Sequence, residues 1–254
     1  MNRKQLLVIA TLSAMGTLAF GEDAKPASPN TFTGNTSLVS QYVFRGLAQT
    51  NGKPAVQAGY DYAHACGFYA GVWGSNISWF TDQVGYGSGN SAALETDLYL
   101  GYKYTFLKDF TLDLGAIEYY YPGTYADTTG KPHTTEAYLG LSYKWASLKY
   151  SQALSNDFFG IADAKNTKYI DASANVPLPQ GLTLALHAGR QGYSISSETY
   201  SYNDYKVGLS KEVLPTYTLG LAYTYANAKD AGYTNAFGKN LGGSRVALTF
   251  TKAF

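Results

Sequence analysis

From Phe32 onward, apolar and polar side chains alternate along almost the whole chain. A period of two residues is that of a β-strand, whose successive side chains point to opposite faces of a sheet. The alternating segments are close to the ~9 to 11 residues that a tilted strand needs to cross an outer membrane. The pattern predicts twelve strands, at residues 34–46, 54–63, 67–78, 93–105, 109–120, 134–145, 147–155, 167–177, 181–191, 202–211, 215–226 and 244–254.

The connections between these segments are short and long in turn. Short connections are predicted at 64–66, 106–108, 146, 178–180 and 212–214. Longer ones, rich in Gly, Asn, Asp, Ser and Thr, are predicted at 47–53, 79–92, 121–133, 156–166, 192–201 and 227–243. All long connections then emerge at one end, as in transmembrane barrels with short periplasmic turns and long extracellular loops. We therefore predict an all-β protein, a transmembrane antiparallel up-and-down β-barrel of twelve strands.

One face of each predicted strand is apolar. Leu98, Leu100, Tyr102 and Tyr104 form one such row, with an aliphatic centre and an aromatic end. This arrangement is typical of a bilayer core flanked by interfacial aromatic girdles. The alternative is a soluble, lipocalin-like barrel with its apolar face inward, which alternation alone does not exclude. The aromatic strand ends, the strand number and the loop asymmetry favour the membrane barrel.

The opposite face of the predicted strands carries charges of both signs. Isolated charges in a dry core would cost several kcal/mol each, so we expect them to pair or to contact water in a lumen. Inward glycines such as Gly101 and Gly140 are expected to leave room there. The candidate lumen-lining residues are Arg45, Asp61, Glu95, Asp97, Lys103, Asp113, Glu136, Lys144, Lys149, Asp171, His187, Asp204, Lys206 and Arg245.

The N-terminus carries the features of an export signal. An apolar block from Leu6 to Phe20 follows Arg3 and Lys4 and ends in small residues. We predict a signal peptide at residues 1–21, a flexible periplasmic lead-in at 22–31 and an outer-membrane barrel at 32–254. An uncleaved membrane anchor is the alternative. The predicted location is the outer membrane of a Gram-negative bacterium, in contact with lipid and lipopolysaccharide.

Composition and charge narrow the function. Cleavage would remove two basic residues and no acidic ones, leaving 17 of 19 Lys and Arg against 18 Asp and Glu, a net charge of −1. This balance predicts no nucleic-acid partner. The three histidines are scattered, and no phosphate loop, zinc motif or nucleophile elbow occurs after residue 21. We therefore predict no metal, no cofactor and no enzymatic activity.

The last strand is similar to the C-terminal signal of outer-membrane barrels. Val246, Leu248 and Phe250 alternate before the terminal Phe254, although Lys252 stands where an aromatic residue is common. The similarity implies periplasmic chaperones and the barrel assembly machinery as partners during biogenesis.

Residues 37–79 contain Tyr42-Val43-Phe44-Arg45-Gly46, then Lys53-Pro54-Ala55, Asp61-Tyr62 and Gly67-Phe68-Tyr69-Ala70-Gly71. These motifs resemble the start of the TorF family of porins, and only the alternation supports the resemblance after residue 80. The resemblance implies a barrel and a channel, and it does not supply a solute.

Three functional hypotheses follow. The first is a porin-like channel for passive diffusion of small hydrophilic solutes, narrow because twelve strands lie between small filled barrels and open sixteen-stranded ones. The second is a channel-less barrel that acts as a structural, adhesin or receptor protein through its loops. The third is a hydrolase in which His187 activates an inward serine such as Ser173. For Arg45, pairing with an inward acid such as Asp61 or Glu95 is favoured over solute selection.

Overall fold

A computed structural model describes residues 28–84, 89–125 and 130–254. In it, twelve antiparallel strands close into a single up-and-down barrel, and a short two-stranded hairpin lies apart from the barrel sheet. The barrel strands are β1 (Asn30–Val39), β4 (Ala55–His64), β5 (Phe68–Asn76), β6 (Leu94–Phe106), β7 (Phe110–Tyr120), β8 (Thr134–Tyr143), β9 (Ala146–Ala153), β10 (Lys168–Pro177), β11 (Leu182–Gly192), β12 (Tyr202–Leu214), β13 (Tyr217–Ala226) and β14 (Gly243–Ala253). The hairpin strands are β2 (Val43–Phe44) and β3 (Leu47–Ala48).

Short helices lie in the connections. Helices α1 (Trp79–Val84), α2 (Ser197–Tyr200) and α3 (Asp230–Tyr233) are in long loops, and a 3-10 turn (Pro179–Gly181) joins β10 to β11. No helix in the described ranges is long and apolar enough to span a bilayer.

The strand prediction is confirmed, with one large shift. Eleven strands lie within three residues of their predicted bounds, whereas the first spans Asn30–Val39 instead of 34–46. The alternation ends at the consecutive polar residues Ser40 and Gln41, where the chain leaves the barrel wall. The predicted lead-in overlaps β1 at residues 30 and 31, and its first six residues and the signal peptide lie outside the described residues.

The barrel exterior is a continuous apolar surface. Leu98, Leu100, Leu139 and Leu221 are between 48% and 55% exposed, in strand after strand. Aromatic rings gather at the end with the tight turns, where Phe106 stacks at 5.7 Å from Phe110. Aliphatic side chains in the middle and aromatic rings at the margin are the pattern of a barrel exterior immersed in lipid.

Glycines and tyrosines together build much of the inner wall. A Cβ added to Gly101 would lie 2.5 Å from the Tyr69 hydroxyl and 2.7 Å from the Leu114 carbonyl oxygen. Tyr138 covers Gly115 and Tyr169 covers Gly189 in the same way. Aromatic rings laid over strand glycines supply the packing that the glycines lack. The space expected to be empty above these glycines is filled by tyrosine.

The barrel closes between its first and last strands. Five residue pairs join β1 to β14, compared with ten that join β1 to β4. Beyond the ladder, the Gly34 N–H donates to the Phe254 carbonyl (2.8 Å) and the Phe254 N–H donates to the Gly34 carbonyl (2.9 Å). The Phe254 ring occupies the space that a Gly34 side chain would need. Lys252 faces outward with its Nζ 5.4 Å from the Tyr217 ring centre.

Candidate functional site

The connection between β1 and β4 folds into the barrel interior. Its centre, residues 42–49, is called the inner hairpin here and contains β2 and β3. The turn residues Arg45 and Gly46 both have positive φ, 46° and 75°. Two such residues in sequence form the type I′ turn that matches the twist of a two-residue hairpin. The Gln49 N–H donates to the Tyr42 carbonyl (2.8 Å) and closes the base of the inner hairpin.

Arg45 fastens the tip of the inner hairpin to the barrel wall. Its guanidinium donates two hydrogen bonds to Glu136 of β8, at 2.9 and 2.7 Å. A third goes to Gln191 of β11 at 3.2 Å, and the guanidinium lies 4.1 Å from the centre of the Tyr169 ring. The side chains of Arg45 and Glu136 are only 7% and 1% exposed. Two parallel bonds in a buried setting fix the geometry of the tip.

Gly46 and Phe44 bring the inner hairpin against other parts of the wall. A Cβ at Gly46 would lie 2.6 Å from the Asp204 Cβ and 2.7 Å from the Ala226 Cβ, so the tip meets β12 and β13 with no space left over. The Phe44 ring packs edge-on against Tyr119 at 5.6 Å. The inner hairpin therefore crosses the lumen from wall to wall.

The inner hairpin separates two cavities. On the side of the long loops is a chamber of about 260 Å³, and on the side of the tight turns is a polar cavity of about 50 Å³. Phe44 and Arg45 line both. A third cavity of about 60 Å³ runs between Val43 and the wall of β12, β13 and β14. The lumen is thus a chain of small spaces with the hairpin as its constriction.

One sector of the lumen, on β4 to β8, is acidic and rich in tyrosine. Asp113 accepts a hydrogen bond from Tyr69 (2.6 Å), and Tyr69 in turn contacts the Tyr138 hydroxyl. Glu95 accepts bonds from Tyr42 (2.7 Å) and Tyr121 (2.9 Å). Tyrosine hydroxyls satisfy these buried carboxylates in place of water.

Three further ionisable residues, Asp61, Lys103 and Asp97, complete this sector, the acidic sector. Asp61 accepts a hydrogen bond from Tyr99 at 2.5 Å. Lys103 Nζ lies 4.7 Å from the centre of the Tyr69 ring. Asp97 is fully buried, and neither of its carboxylate oxygens has a hydrogen-bond partner among the described residues.

The next sector, on β9 to β12, carries mixed charges around His187. Its Nδ1 lies 3.1 Å from Asp171 and its Nε2 lies 2.7 Å from Asp204. Lys149 and Lys206 line the same polar cavity. Opposite charges on neighbouring strands allow this wall to remain polar without a large net charge.

The serine contact expected for a hydrolase is present, but its chemistry is unsuitable. Ser173 Oγ lies 3.1 Å from His187 Nδ1. Both ring nitrogens face carboxylate oxygens, which favours a doubly protonated imidazolium. A histidine in that state has no lone pair with which to accept the serine proton. In the described ranges, no three His, Cys, Asp or Glu side chains are grouped to hold a metal ion.

The third sector, on β13, β14 and β1, is uncharged and built of small side chains, apart from Arg245 at its rim. It is called the neutral sector, and its inward residues include Thr218, Gly220, Ala222, Thr224, Ala247, Thr249, Thr251 and Ser37.

The structure places the sequence-predicted residues in several positions. Asp61, Glu95, Asp97, Lys103, Asp113, Glu136, Lys149, Asp171, His187, Asp204 and Lys206 lie on barrel strands, with their side chains in the sectors just described. Arg245 lies at the long-loop rim of β14, where it donates to the Asn240 carbonyl at 2.8 Å.

Two placements differ from the prediction. Lys144 is in the tight turn after β8, with its side chain 52% exposed and 3.8 Å from Asp109, so it does not reach the lumen. A positive φ of 53° at Lys144 marks that turn. Arg45 lies on the inner hairpin instead of a barrel strand, and the inward acid with which it pairs is Glu136, in place of the named examples Asp61 and Glu95.

Sequence reasoning missed the inner hairpin as a unit. Part of its signal was present, because the predicted first strand ends on Gly46 and glycine is a common turn residue. Ser40 and Gln41, two polar residues in sequence, marked the point at which alternation stopped.

Comparison with known proteins agrees with this architecture. Residues 23–254 match the family described as "Bacterial protein of unknown function (Gcw_chp)". The chain belongs to that family. No curated protein matches the sequence.

Solved porin structures share the fold. The KdgM porin is 9% identical, with a TM-score of 0.55, over 87% of this chain and 99% of its own. The KdgM porin in complex with disordered oligogalacturonate is 8% identical, with a TM-score of 0.55, over 88% and 99%. The NanC porin is 12% identical, with a TM-score of 0.52, over 88% and 99%. At these identities the likeness shows the fold, a porin-like barrel, and the assignment to the TorF family stays a prediction.

Proposed function

We propose that this protein is an outer-membrane channel through which small hydrophilic solutes diffuse passively. The observation that carries the proposal is the polar interior of a closed barrel whose exterior is apolar. The charged and hydroxyl-bearing inner wall suits water and polar solutes, and the outer surface suits lipid. No energy-coupling element is required for a solute to move through such a lumen down its gradient.

The neutral sector is the side on which we expect solutes to pass the inner hairpin. The cavity of about 60 Å³ on this side is lined by Gly208, Gly220, Ala222 and Ala247, which leave space beside Val43. On the opposite side, Arg45 and Phe44 are packed against the wall. Small motions of the hairpin or of threonine side chains there would connect the cavities. The passage is narrow, which restricts it to small solutes.

The solute class is limited by the charges. A porin of similar fold is described with disordered oligogalacturonate, an acidic sugar chain. Here the acidic sector places Asp61, Glu95, Asp97 and Asp113 along one wall. A polyanion would be repelled by that wall, so we do not extend that solute to this channel and propose small hydrophilic solutes in general.

Conductance of a matched pair of glycine variants tests this proposal. Gly46→Ala and Gly52→Ala introduce the same side chain at almost the same backbone angle, φ 75° and 77°. Only at Gly46 would the Cβ collide with the wall, because nothing lies within 4 Å at Gly52. In planar bilayers the natural protein should give small discrete steps. Gly46→Ala should displace the hairpin and change the step size severalfold, and Gly52→Ala should not.

The same recordings address a second candidate, a channel-less barrel that acts through its loops. The buried Arg45–Glu136 pair and the filled tyrosine wall favour it, since both reduce open space. A folded protein that is electrically silent, and remains silent in Gly46→Ala, would replace the channel proposal by this one.

We further propose that residues 1–21 direct export and that the tight turns face the periplasm. Cys66, the one cysteine of the chain, is exposed in the turn between β4 and β5. A bulky polymer-linked maleimide should label it only after the outer membrane is permeabilised. Ala162→Cys, exposed in the long loop after β9, should react in intact cells when Cys66 is replaced by serine. Labelling of Cys66 in intact cells would reverse the orientation.

Biogenesis partners follow from the C-terminus. We propose that periplasmic chaperones deliver the chain and that the barrel assembly machinery reads the strand that ends in Phe254. Lipid and lipopolysaccharide would then surround the apolar exterior. Deletion of Phe254 should reduce the amount of heat-modifiable, folded barrel recovered from outer membranes.

A further inference from the structure

The chamber on the long-loop side of the inner hairpin is lined mainly by aromatic rings. Phe44 and Leu47 form its floor, and helix α1 and the long loops form its sides. The ring-bearing residues are Phe44, Trp79, Phe80, Tyr121, Phe158, Phe159, Tyr193, Tyr200, Tyr202 and Tyr233. This set is called the aromatic chamber below.

The walls of the aromatic chamber are held in place by ring contacts. Trp79 packs edge-on against Tyr121 with ring centres 5.7 Å apart, and Phe158 packs edge-on against Tyr193 at 5.5 Å. Tyr202 contacts Tyr233 edge-on at 5.2 Å. Edge-to-face pairs of this kind fix ring orientations, so the cavity is preformed.

Most polar groups that line the aromatic chamber are already engaged. The Tyr121 hydroxyl donates to Glu95 (2.9 Å), and the Tyr233 hydroxyl donates to the Tyr200 carbonyl (2.6 Å). Gln191 donates to the Lys168 carbonyl (2.9 Å). The exception is Trp79, whose indole Nε1 is buried and has no acceptor in the part of the chain that the structure describes. That nitrogen is closed off from the cavity as well, so the aromatic chamber presents mainly ring surfaces to a ligand.

The charge and size of the ligand follow from the same lining. Arg45 is the charged residue among the described lining residues, and Glu136 already neutralises it. A charged ligand would therefore lose its hydration without gaining a counterion. A dry cavity of ~150 Å³ holds benzene. The aromatic chamber, at about 260 Å³, has room for one ring with a substituent.

We infer that the aromatic chamber is a binding site for uncharged aromatic solutes of about one ring. The rings of the wall contact the solute ring. The site faces the long loops, so a solute would occupy it before reaching the inner hairpin. Binding does not depend on whether ions or solutes then cross the barrel.

Calorimetric titration with benzamide tests the inference on the full-length mature protein in lipid nanodiscs. Benzamide is uncharged and carries a carbonyl acceptor, whereas benzoate has the same ring and a negative charge. We expect saturable one-to-one binding of benzamide and at least tenfold weaker binding of benzoate. Trp79→Ala removes one ring from the wall of the chamber, so benzamide should bind it about fivefold more weakly.

Two controls make the result specific. Trp145→Ala removes an indole in the tight turn at the other end of the barrel and should leave benzamide affinity unchanged. Ile161→Trp should fill the aromatic chamber and abolish binding, whereas Ile170→Trp, on the exterior, should not. Heat-modifiable migration in gels verifies that each variant is folded. Equal affinity in Trp79→Ala and Trp145→Ala, equal binding of benzoate, or no saturable binding would overturn the inference.

The outcome is distinguishable from that of the channel proposal. A barrel that conducts but does not bind benzamide contradicts only the aromatic chamber. A barrel that binds benzamide but does not conduct contradicts only the channel.

Discussion

The acidic sector and the neutral sector are built from the same twelve-stranded wall and are filled in opposite ways. In the acidic sector, tyrosine rings lie over glycines and bond to carboxylates, as Tyr69 does with Gly101 and Asp113. In the neutral sector, Gly220, Ala222 and Ala247 face a cavity beside the inner hairpin. Inward glycines therefore have two roles in this barrel. In the acidic sector a tyrosine ring packs over them, and in the neutral sector they leave space beside the inner hairpin.

The largest expected effect is the closing of the neutral sector. Ala222→Phe would place a ring in the cavity beside Val43, where we expect solutes to pass. Single-channel conductance should fall to near zero. Ala188→Phe adds the same ring on the exterior of β11 and should conduct like the natural protein. Unchanged conductance in Ala222→Phe would show that the path runs elsewhere.

The next effect concerns the pair that fastens the inner hairpin. Arg45→Ala leaves Glu136 buried without its partner, and removal of one member of a buried pair costs about 3 to 5 kcal/mol. Urea unfolding in detergent should show this loss for either single variant. In Arg45→Ala with Glu136→Ala, the loss should be smaller than the sum of the two single losses. Additive losses would mean that the two side chains are not coupled.

A smaller change in stability tests the packing of tyrosine rings over the inward glycines. Gly115→Ala would bring a Cβ to 2.5 Å from the Leu100 carbonyl oxygen, beneath the Tyr138 ring. Overpacking of this kind costs about 1 to 3 kcal/mol in unfolding experiments. Gly140→Ala has its nearest neighbour at 3.5 Å and should be tolerated. Equal stability of the two variants would contradict the role given to the tyrosine rings.

Among the described residues, the Asp97 carboxyl group of the acidic sector has no hydrogen-bond partner, so its replacement should raise the free energy of unfolding instead of lowering it. Asp97→Asn removes an ionisable group that is buried beside Glu95 and Glu136, so the free energy of unfolding should rise by about 1 kcal/mol. Glu95→Gln should lower it, because Glu95 accepts bonds from Tyr42 and Tyr121. If Asp97→Asn lowers the free energy of unfolding as much as Glu95→Gln does, the Asp97 carboxyl group makes an interaction that stabilises the fold, and the prediction is wrong.

The smallest effect is expected at Lys144. Its side chain is exposed in a tight turn. Lys144→Ala should leave the ion selectivity unchanged in reversal-potential measurements. Lys206→Ala, within the polar cavity, should shift selectivity toward cations. A selectivity change at Lys144 would restore its predicted place in the lumen.

The barrel wall could be predicted from the sequence because the alternation of apolar and polar residues within each strand identifies its outward and inward faces. Alternation is a local property, so eleven strands were located within three residues. Leu98 and Leu100, for example, identify the outward face of their strand without any information from other strands. The same alternation placed Glu95 and Asp97 on one inner face.

The contents of the lumen could not be predicted in this way. Whether Arg45 meets Glu136 or Asp61 depends on how a fifteen-residue connection between Val39 and Ala55 folds across the barrel, and that is set by contacts with distant strands. The aromatic chamber combines residues from distant stretches of the chain, from Phe44 to Tyr233, that only closure of the barrel brings together. Turn geometry at Lys144 is local, yet a single positive φ was enough to redirect its side chain.

The closure of the barrel between β1 and β14, where Gly34 and Phe254 exchange two backbone hydrogen bonds, has a consequence for biogenesis. Strand β1 holds its sequence neighbour through ten pairs but its ring-closing neighbour through five. The barrel cannot close until β14 has been synthesised, and a nascent chain that lacks β14 has two unpaired strand edges, on β1 and β13. The β1–β14 pairing, which has fewer residue pairs than the β1–β4 pairing, is thus the last to form. Separation of strands during unfolding should begin there.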